Sequence, residues 1–374
     1  MRTTKNIKRF LKTSTRIALI ISVLIVIIAL YMMHPQFGKR PSGIRLENIK
    51  QSAQFRDGKF QNTNDTPQIT QSLGVALYNY LFNKSKNSKP KDSIPSVPIK
   101  WEEILKKDNQ MVWLGHSSYF LRIDSKNILV DPVLSGSASP IPGGTKAFNG
   151  SDITAVEWLP KIDYLFISHD HYDHMDYKTL KFLQPTVSKI IVGLGVGAHL
   201  EHWGYTTDQI IEKDWWDQVD LGDGFQTIVT PTRHFSGRSI WRSNTLWASY
   251  VLKTPSFTLY LGGDSGYDTH FKKIGEKYGP FNLAILENGQ YDLSWKYIHM
   301  MPEEVVQATK DLNAKVLLPV HSSKFVLANH SWYEPLDRVS AEAKKQNQAI
   351  TTPLIGQIID LNNLDTEPTY WWKK

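Results

Sequence analysis

The sequence predicts an α/β fold in which stacked sheets are flanked by helices. Three observations carry this. From Met111 onward, short apolar runs of strand length follow one another at hairpin spacing and then alternate with helical patterns. Residues of metal-binding type stand where several of these runs end, and α/β folds build their sites at strand ends. The chain has 374 residues, 41% of them hydrophobic. That is enough for one large domain, or for a domain of roughly 250 residues with attachments.

Along the chain, residues 1–16 form a basic tail with Arg2, Lys5, Lys8, Arg9, Lys12 and Arg16 and no acid. Ile17 to Met33 follows as IALIISVLIVIIALYMM. At 1.5 Å per residue its seventeen residues span roughly 26 Å, the lower limit for a membrane helix. The run is longer than the apolar part of a usual signal peptide, and no small-residue cleavage site follows closely. It has no polar face, unlike a surface helix of a soluble domain. The reading is an uncleaved single-pass membrane anchor. Basic residues before it place the tail in the cytoplasm and the rest outside, although Lys39, Arg40 and Arg45 follow on the far side. Residues 34–100 read as a polar extension and linker, with a short helix near Ser72 to Phe82 and a Lys/Ser/Pro-rich loop from Asn83 to Lys100.

The catalytic candidate is residues 101–374. MVWLG, SYFLRID and NILVD are its first strands; DYLFIS, KIIVGLG, QTIVTPT, WASYVLKT, FTLYLGGD, NLAILEN and KVLLPVH follow. Helical patterns cover Asp176 to Leu183, Thr269 to Tyr278, Pro302 to Leu312 and Glu334 to Gln346. Pro302 opens its helix with Glu303 and Glu304 in the first turn, where the helix dipole favours acids.

Composition removes several function classes. There is no cysteine, hence no disulfide framework, thiolate metal site or cysteine nucleophile. The net charge of +7 is concentrated in the tail: of 43 basic residues, six lie there, leaving 37 against 36 acidic ones. A nearly neutral body excludes a general polyanion-binding face, so no nucleic-acid partner is expected. No Ser-His-Asp arrangement or phosphate-binding glycine loop is visible.

The chemistry concentrates in ISHDHYDHMD, Ile167 to Asp176. In an extended segment His169 and His171 point to one side, two residues apart. A helical turn after them can bring Asp173 and His174 to the same spot. Three later runs end in the same residue types, at His234, Asp264 and His321. Six or seven nitrogen and oxygen ligands without sulfur suit two divalent ions sharing a bridge, with zinc, iron or manganese as the candidates. Around them, His116 in GHSS reads as a structural hydrogen-bonding residue and Asp131 in VDP as a turn residue or an outer partner of the ligands. Trp215 and Trp216 read as core or lid residues, with contact to lipid or substrate as the alternative.

The H-x-H-x-D-H pattern, with LGGDSG and LPVH, resembles the metallo-β-lactamase-fold hydrolases. Within them it is similar to the N-acyl-phosphatidylethanolamine phospholipase D-like and ascorbate-6-phosphate-lactonase-like branch. WLGHSSYFLRID from Trp113, ILVDPVLSGSASP from Ile128, KDWWD from Lys213, GPFNLAILENGQYD and HMMPEEVVQA from His299 also carry the resemblance, over about residues 40–365. It implies an αββα sandwich and two zinc ions, with manganese or iron as alternatives. His169, His171 and His234 would hold one ion; Asp173, His174 and His321 would hold the other; Asp264 would bridge. On this resemblance Asp173 and Asp264 would be the catalytic carboxylates. The chain departs from the phospholipase D pattern in two places. It reads His321-Ser322-Ser323-Lys324-Phe325 where those relatives read H-W-G-T-F, and Leu286-Glu287-Asn288-Gly289 where they have Ile-Pro-Ile-Gly.

The expected function is a membrane-anchored dinuclear hydrolase acting on a phosphodiester, in a small molecule or a phospholipid. A lactonase, or another ester or amide hydrolase, is the alternative. A binding protein that keeps metals only for structure is a third reading, against which the full ligand set argues. Lys324, His299 and His330 are the expected substrate-binding residues. Lys324 is placed at the mouth of the site because it follows His321 by three residues.

Overall fold

Alternation within the strands decides the layering. In DYLFIS the side chains of Tyr164 and Phe166 join one buried cluster, while Leu165 and Ile167 join another. A strand buried on both faces must lie inside a layered structure. The architecture is seen in a computed structural model, which describes residues 2–72, 74, 75, 78, 82–364 and 367–373.

The apolar runs become two seven-stranded sheets. The first contains β3 (Gln110–Trp113), β4 (Tyr119–Ile123), β5 (Lys126–Val130), β6 (Ile162–Ile167), β7 (Val187–Gly193), β8 (Ile210–Lys213) and, at its edge, β16 (Ile358–Asp360), in the order β16-β3-β4-β5-β6-β7-β8. The second contains β9 (Gln218–Gly222), β10 (Phe225–Thr230), β11 (Ser249–Lys253), β12 (Thr258–Leu261), β13 (Phe281–Glu287), β14 (Ala314–Val320) and β15 (Ala349–Ile350), in the order β15-β14-β13-β12-β11-β10-β9. Each sheet starts as an antiparallel meander and ends in parallel strands. The change falls between β5 and β6 in one, and at β12 and β13 in the other. Parallel crossovers usually run through helices, and four of the six here use the helices the sequence predicts, observed at Tyr177–Leu183, His270–Tyr278, Pro302–Asp311 and Glu334–Lys345; the β7–β8 crossover uses a short helix, Gly197–His202, that the sequence reading missed.

Three buried clusters give the four layers. The inner one lies between the sheets and includes Trp113, Leu121, Phe166, Val229, Tyr250, Leu261, Ile285 and Leu318. One outer cluster packs Leu165, Ile167, Ile190 and Val192 against Leu180, Leu183 and Leu200. The other packs Val251, Ala284 and Leu317 against Phe271, Ile274, Val305, Val306 and Val339. The result is the expected αββα sandwich. Tyr250 ties the sheets together: its ring meets Phe166 edge-on at 5.1 Å, and its hydroxyl donates to the Ile167 carbonyl at 2.6 Å.

The N-terminal segment differs from its sequence reading in two ways. A single helix runs from Arg2 to Met32, so the basic tail continues into the apolar run without a break. Phe10–Met32, 23 residues, is long and apolar enough to cross a membrane and is not buried in the protein; its length is about 34 Å. Residues 34–100 do not form a free linker. Ile49, Phe60 and Ile94 enter the inner core. A small hairpin, β1 (Phe55–Arg56) with β2 (Lys59–Phe60), hydrogen-bonds through Phe60 to Ser243. Arg45, on the helix Gly43–Lys50, bonds Glu201 at 2.7 Å and Glu212 at 2.6 Å. Short polar sequence hid this packing, because each contact is made by one or two apolar residues rather than by a periodic stripe. The helix expected over Ser72–Phe82 lies largely outside the described residues.

Candidate metal centre

Six strands end at one edge of the sandwich, and the chain there is too short to carry its side chains away. Asp131 follows β5, His169 and His171 follow β6, and His234 follows β10. Asp264 follows β12, His321 follows β14, and Glu287 closes β13. His116 sits in the β3–β4 turn with a left-handed φ of 52°; His321 has one of 65°. These two strained residues grip each other, since the His321 N–H donates to the His116 carbonyl at 2.9 Å. Such conformations cost of order 1–3 kcal/mol each and persist where the surroundings impose them.

The donors fall into overlapping groups. His169, His171 and His234 form one, with donor atoms within 4.8 Å of one another. Asp173, His174 and His321 form a second, joined by His116. Asp264 lies between: its carboxylate is 3.1 Å from His174 Nε2, 3.1 Å from His321 Nδ1, 3.8 Å from His234 Nε2 and 3.9 Å from His169 Nε2. All seven residues expected from the sequence therefore converge. His116, read as structural, stands beside them with Nε2 2.9 Å from Asp173.

The groups around the donors fit them to metal ions. His234 Nδ1 donates to the Ile298 carbonyl at 2.9 Å, and His174 Nδ1 to Asp131 at 2.8 Å. The outward bond fixes the neutral tautomer of His234 with its Nε2 lone pair inward, and it aims Nε2 of His174 at the same point. His171 Nδ1 is 2.8 Å from His169 Nε2 and 3.2 Å from His234 Nε2. His174 Nε2 and Asp264 Oδ1 are buried with no hydrogen-bond partner. Burial pushes His169, His234 and His321 well below the usual imidazole value, and His171 below it. Neutral rings are the ligand form. For Asp264, burial alone would raise the carboxyl, but His174 and His321 outweigh it and hold the group ionised. Crowded lone pairs around a buried carboxylate are a donor set that a cation completes.

Asp131 holds the first set as well, accepting from the Ser168 N–H at 2.8 Å and its hydroxyl at 2.6 Å. Asp170 faces away from the donors. It accepts from the Gly237 N–H at 2.6 Å and the Thr245 hydroxyl at 3.0 Å, with His199 at 3.2 Å. Burial would raise its carboxyl, but His199, His171 and Arg238 hold it at about 2. The same alternation that pairs His169 with His171 turns Asp170 the opposite way, so its outer role could have been read from the sequence. Asn62 could not. It comes from the polar extension, more than a hundred residues away in the chain. Its amide donates to the His234 carbonyl at 2.7 Å, and its oxygen accepts from the His234 N–H at 3.2 Å and from Trp247 at 3.0 Å.

A cavity of about 300 Å³ opens over the donors, lined by His171, Asp173, His234, Asp264 and His321. Phe235, Ile69, Leu327, Ile298 and Trp295 give it apolar walls, and Arg242 and Gln68 give it a polar side. Of the three expected substrate-binding residues, His299 lines this cavity. Its Nδ1 is 3.6 Å from Glu287, whose carboxyl burial pushes up to about 7. His330 does not line it: the ring stacks on Tyr291 and accepts from the Gln290 N–H at 2.8 Å, bracing a loop. Lys324 requires a correction. The chain turns at Ser323, with φ 63°, and carries the amine into the protein. It donates to the carbonyls of Leu114 at 3.2 Å and Val133 at 3.0 Å and lies 3.4 Å from Asp152, fully buried. The cation at the cavity is Arg242, which sequence spacing did not single out.

Two outcomes follow. Asn62→Ala frees the backbone of His234 without touching a donor atom. Its metal affinity, measured by chelator competition, is expected to fall about 10–100-fold, the usual effect of losing an outer partner, with the circular dichroism spectrum kept. Lys324→Met leaves two buried carbonyls unpaired. It is expected to lose about 1–3 kcal/mol in denaturant unfolding, with no selective loss on anionic substrates.

Residues 126–322 match the β-lactamase superfamily domain. An uncharacterized protein of Mycobacterium tuberculosis is 36% identical over 336 residues, covering 87% of this chain and 88% of its own. The N-acyl-phosphatidylethanolamine-hydrolyzing phospholipase D 1 of Caenorhabditis elegans is 31% identical, over 61% of this chain and 67% of its own. Among solved structures, the metallo hydrolase Igni18 of the archaeon Ignicoccus hospitalis superposes with a TM-score of 0.53 at 21% identity, over 67% of this chain and 97% of its own. Sequence, layering and strand-end donors agree that the chain belongs to the β-lactamase superfamily, has the metallo-β-lactamase fold, and is a relative of the N-acyl-phosphatidylethanolamine-hydrolyzing phospholipases D.

Proposed function

We propose that the protein is a membrane-anchored, dinuclear metal-dependent hydrolase, a zinc phosphodiesterase acting on a phospholipid-like substrate. The observation that carries this reading is the position of Asp264, within 4 Å of donors from both sets. His169, His171 and His234 would hold one ion and Asp173, His174 and His321 the other. Divalent ions held there supply Lewis acidity, which makes water nucleophilic at neutral pH and offsets charge developing on substrate oxygens.

The chain's own residues do the remaining work. Asp264 orients the attacking water from between the two sets. Asp173, fixed by His116, keeps the second set in register. His299, with Glu287 3.6 Å behind it, stands at the cavity wall and would serve as the proton donor to the leaving oxygen. Arg242 offers a planar fork to a phosphate oxygen, a geometry guanidinium serves better than ammonium. The apolar walls admit the carbon skeleton beside the ester. The phospholipase D relative supports the phosphodiester, and the helix Phe10–Met32 supports the anchor. On this reading the basic tail is cytoplasmic and the sandwich lies outside.

Metal analysis of the purified chain is expected to give close to two ions, and chelation to abolish turnover of bis-p-nitrophenyl phosphate. Asp264→Ala is expected to lose both activity and bound metal; an active, fully loaded Asp264→Ala protein would remove the bridge. Hydrolysis of lactones but no phosphodiester would move the assignment to a lactonase. Arg242→Gln is expected to lower kcat/KM on anionic diesters about 10- to 150-fold, the value of one charge-assisted hydrogen bond, while metal content stays unchanged.

A further inference from the structure

The joint between helix and sandwich is fastened rather than loose. The Tyr31 hydroxyl and the Gln36 amide both donate to the Pro140 carbonyl. Arg238, 3% exposed, donates to the Gln36 carbonyl at 3.0 Å and to the carbonyls of Asp170 and Met175. Trp203 donates to the Pro35 carbonyl at 2.8 Å. Arg40 lies 4.7 Å over the ring of Trp241, and Met32 and Trp241 line one small cavity. Wherever the helix meets a bilayer, this joint fixes which face of the sandwich meets it too.

That face carries large apolar side chains that stay exposed among the described residues. Ile141 is 64% exposed, Ile240 73% and Trp241 54%. They sit on two separate loops: the Ile141 loop meets the helix end through Pro140 and Tyr31, and the Trp241 loop meets Arg40 just beyond the helix and shares a small cavity with Met32. Lys39 and Arg40 stand beside Trp241 around the same small cavity. Aromatic and aliphatic side chains beside basic ones, at the end of an apolar helix, match the headgroup region of an anionic bilayer.

We propose that Ile141 and the loop Ser239–Arg242 dock into the bilayer interface beside the anchor, so that this face binds a lipid surface. The proposal rests on the anchor reading above. It also gives the loop a role: Ile240 and Trp241 meet the bilayer while the next residue, Arg242, lines the metal cavity. The loop thus sets the cavity mouth at headgroup level.

The absence of cysteine makes the test direct. Ile240→Cys, Ile27→Cys in the anchor and Lys345→Cys, on a lysine whose side chain is 74% exposed on a distant helix, are each labelled with an environment-sensitive fluorophore. The full chain is reconstituted in phosphatidylcholine–phosphatidylglycerol vesicles with or without a doxyl-labelled lipid. The probes at 240 and 27 are expected to be quenched several-fold more than the probe at 345. Quenching at 27 with none above the 345 level at 240 overturns the docking face and leaves the anchor standing. No quenching at 27 overturns both. Ile141→Cys repeats the measurement on the second loop.

Discussion

The structure turns on one buried carboxylate. Asp264 is 3% exposed and faces four imidazoles at 3.1–3.9 Å. An ionised carboxyl in such a place is tolerated only when opposite charge compensates it. The protein supplies a first instalment through His174, whose neighbours Asp264, Asp173 and Asp131 outweigh its burial and favour its charged form. The other rings stay neutral and turn lone pairs toward the same point. Everything at this edge, including the strained turns at His116 and His321, serves to hold donors that would otherwise avoid one another.

Much of this was legible because the fold and the site share a grammar. Strands announce themselves by apolar length, and a polar residue immediately past a buried strand has nowhere to go but the strand-end edge. His169, Asp264 and His321 follow that rule within three residues of their strands. The short strands β8, β9, β15 and β16 were not legible. Their residues are half exposed, as in the pattern of β9, where exposed and intermediate positions alternate, and an edge strand needs little apolar content. Lys324 was misread for a related reason. Spacing from a ligand gives distance along the chain, but a left-handed residue at Ser323 reverses the direction in which the next side chain points.

The polar extension shows the limit of composition. Residues 34–100 look like a linker because their contacts are hydrogen bonds and single apolar anchors. Yet Asn62 clamps His234, Asp65 and Thr66 bond Arg233, and Gln68 bonds Arg242. Thus the stretch just before a catalytic sandwich builds one wall of its cavity. The two loops that receive it, Thr232–Phe235 and Ser239–Ser243, are those that carry His234 and Arg242. A segment that joins the long apolar helix to the sandwich is in this way also a brace for the metal site.

Cavity size bears on what such an enzyme can accept. About 300 Å³ lies at the lower end of small-molecule sites. That space suits a phosphodiester with the groups beside it, not two acyl chains. Ile69, Phe235 and Leu327 make an apolar collar around its polar floor, and a second cavity of about 370 Å³, with Val326 and Ala328 in its wall, shares Trp295 and Leu327 with it. On the proposed phospholipid reading, the headgroup region would enter the metal cavity and carbon beside it would meet this collar. On that proposal the fastened joint between helix and sandwich has a consequence for catalysis, because it would hold the cavity mouth at one height relative to the lipid that supplies the substrate.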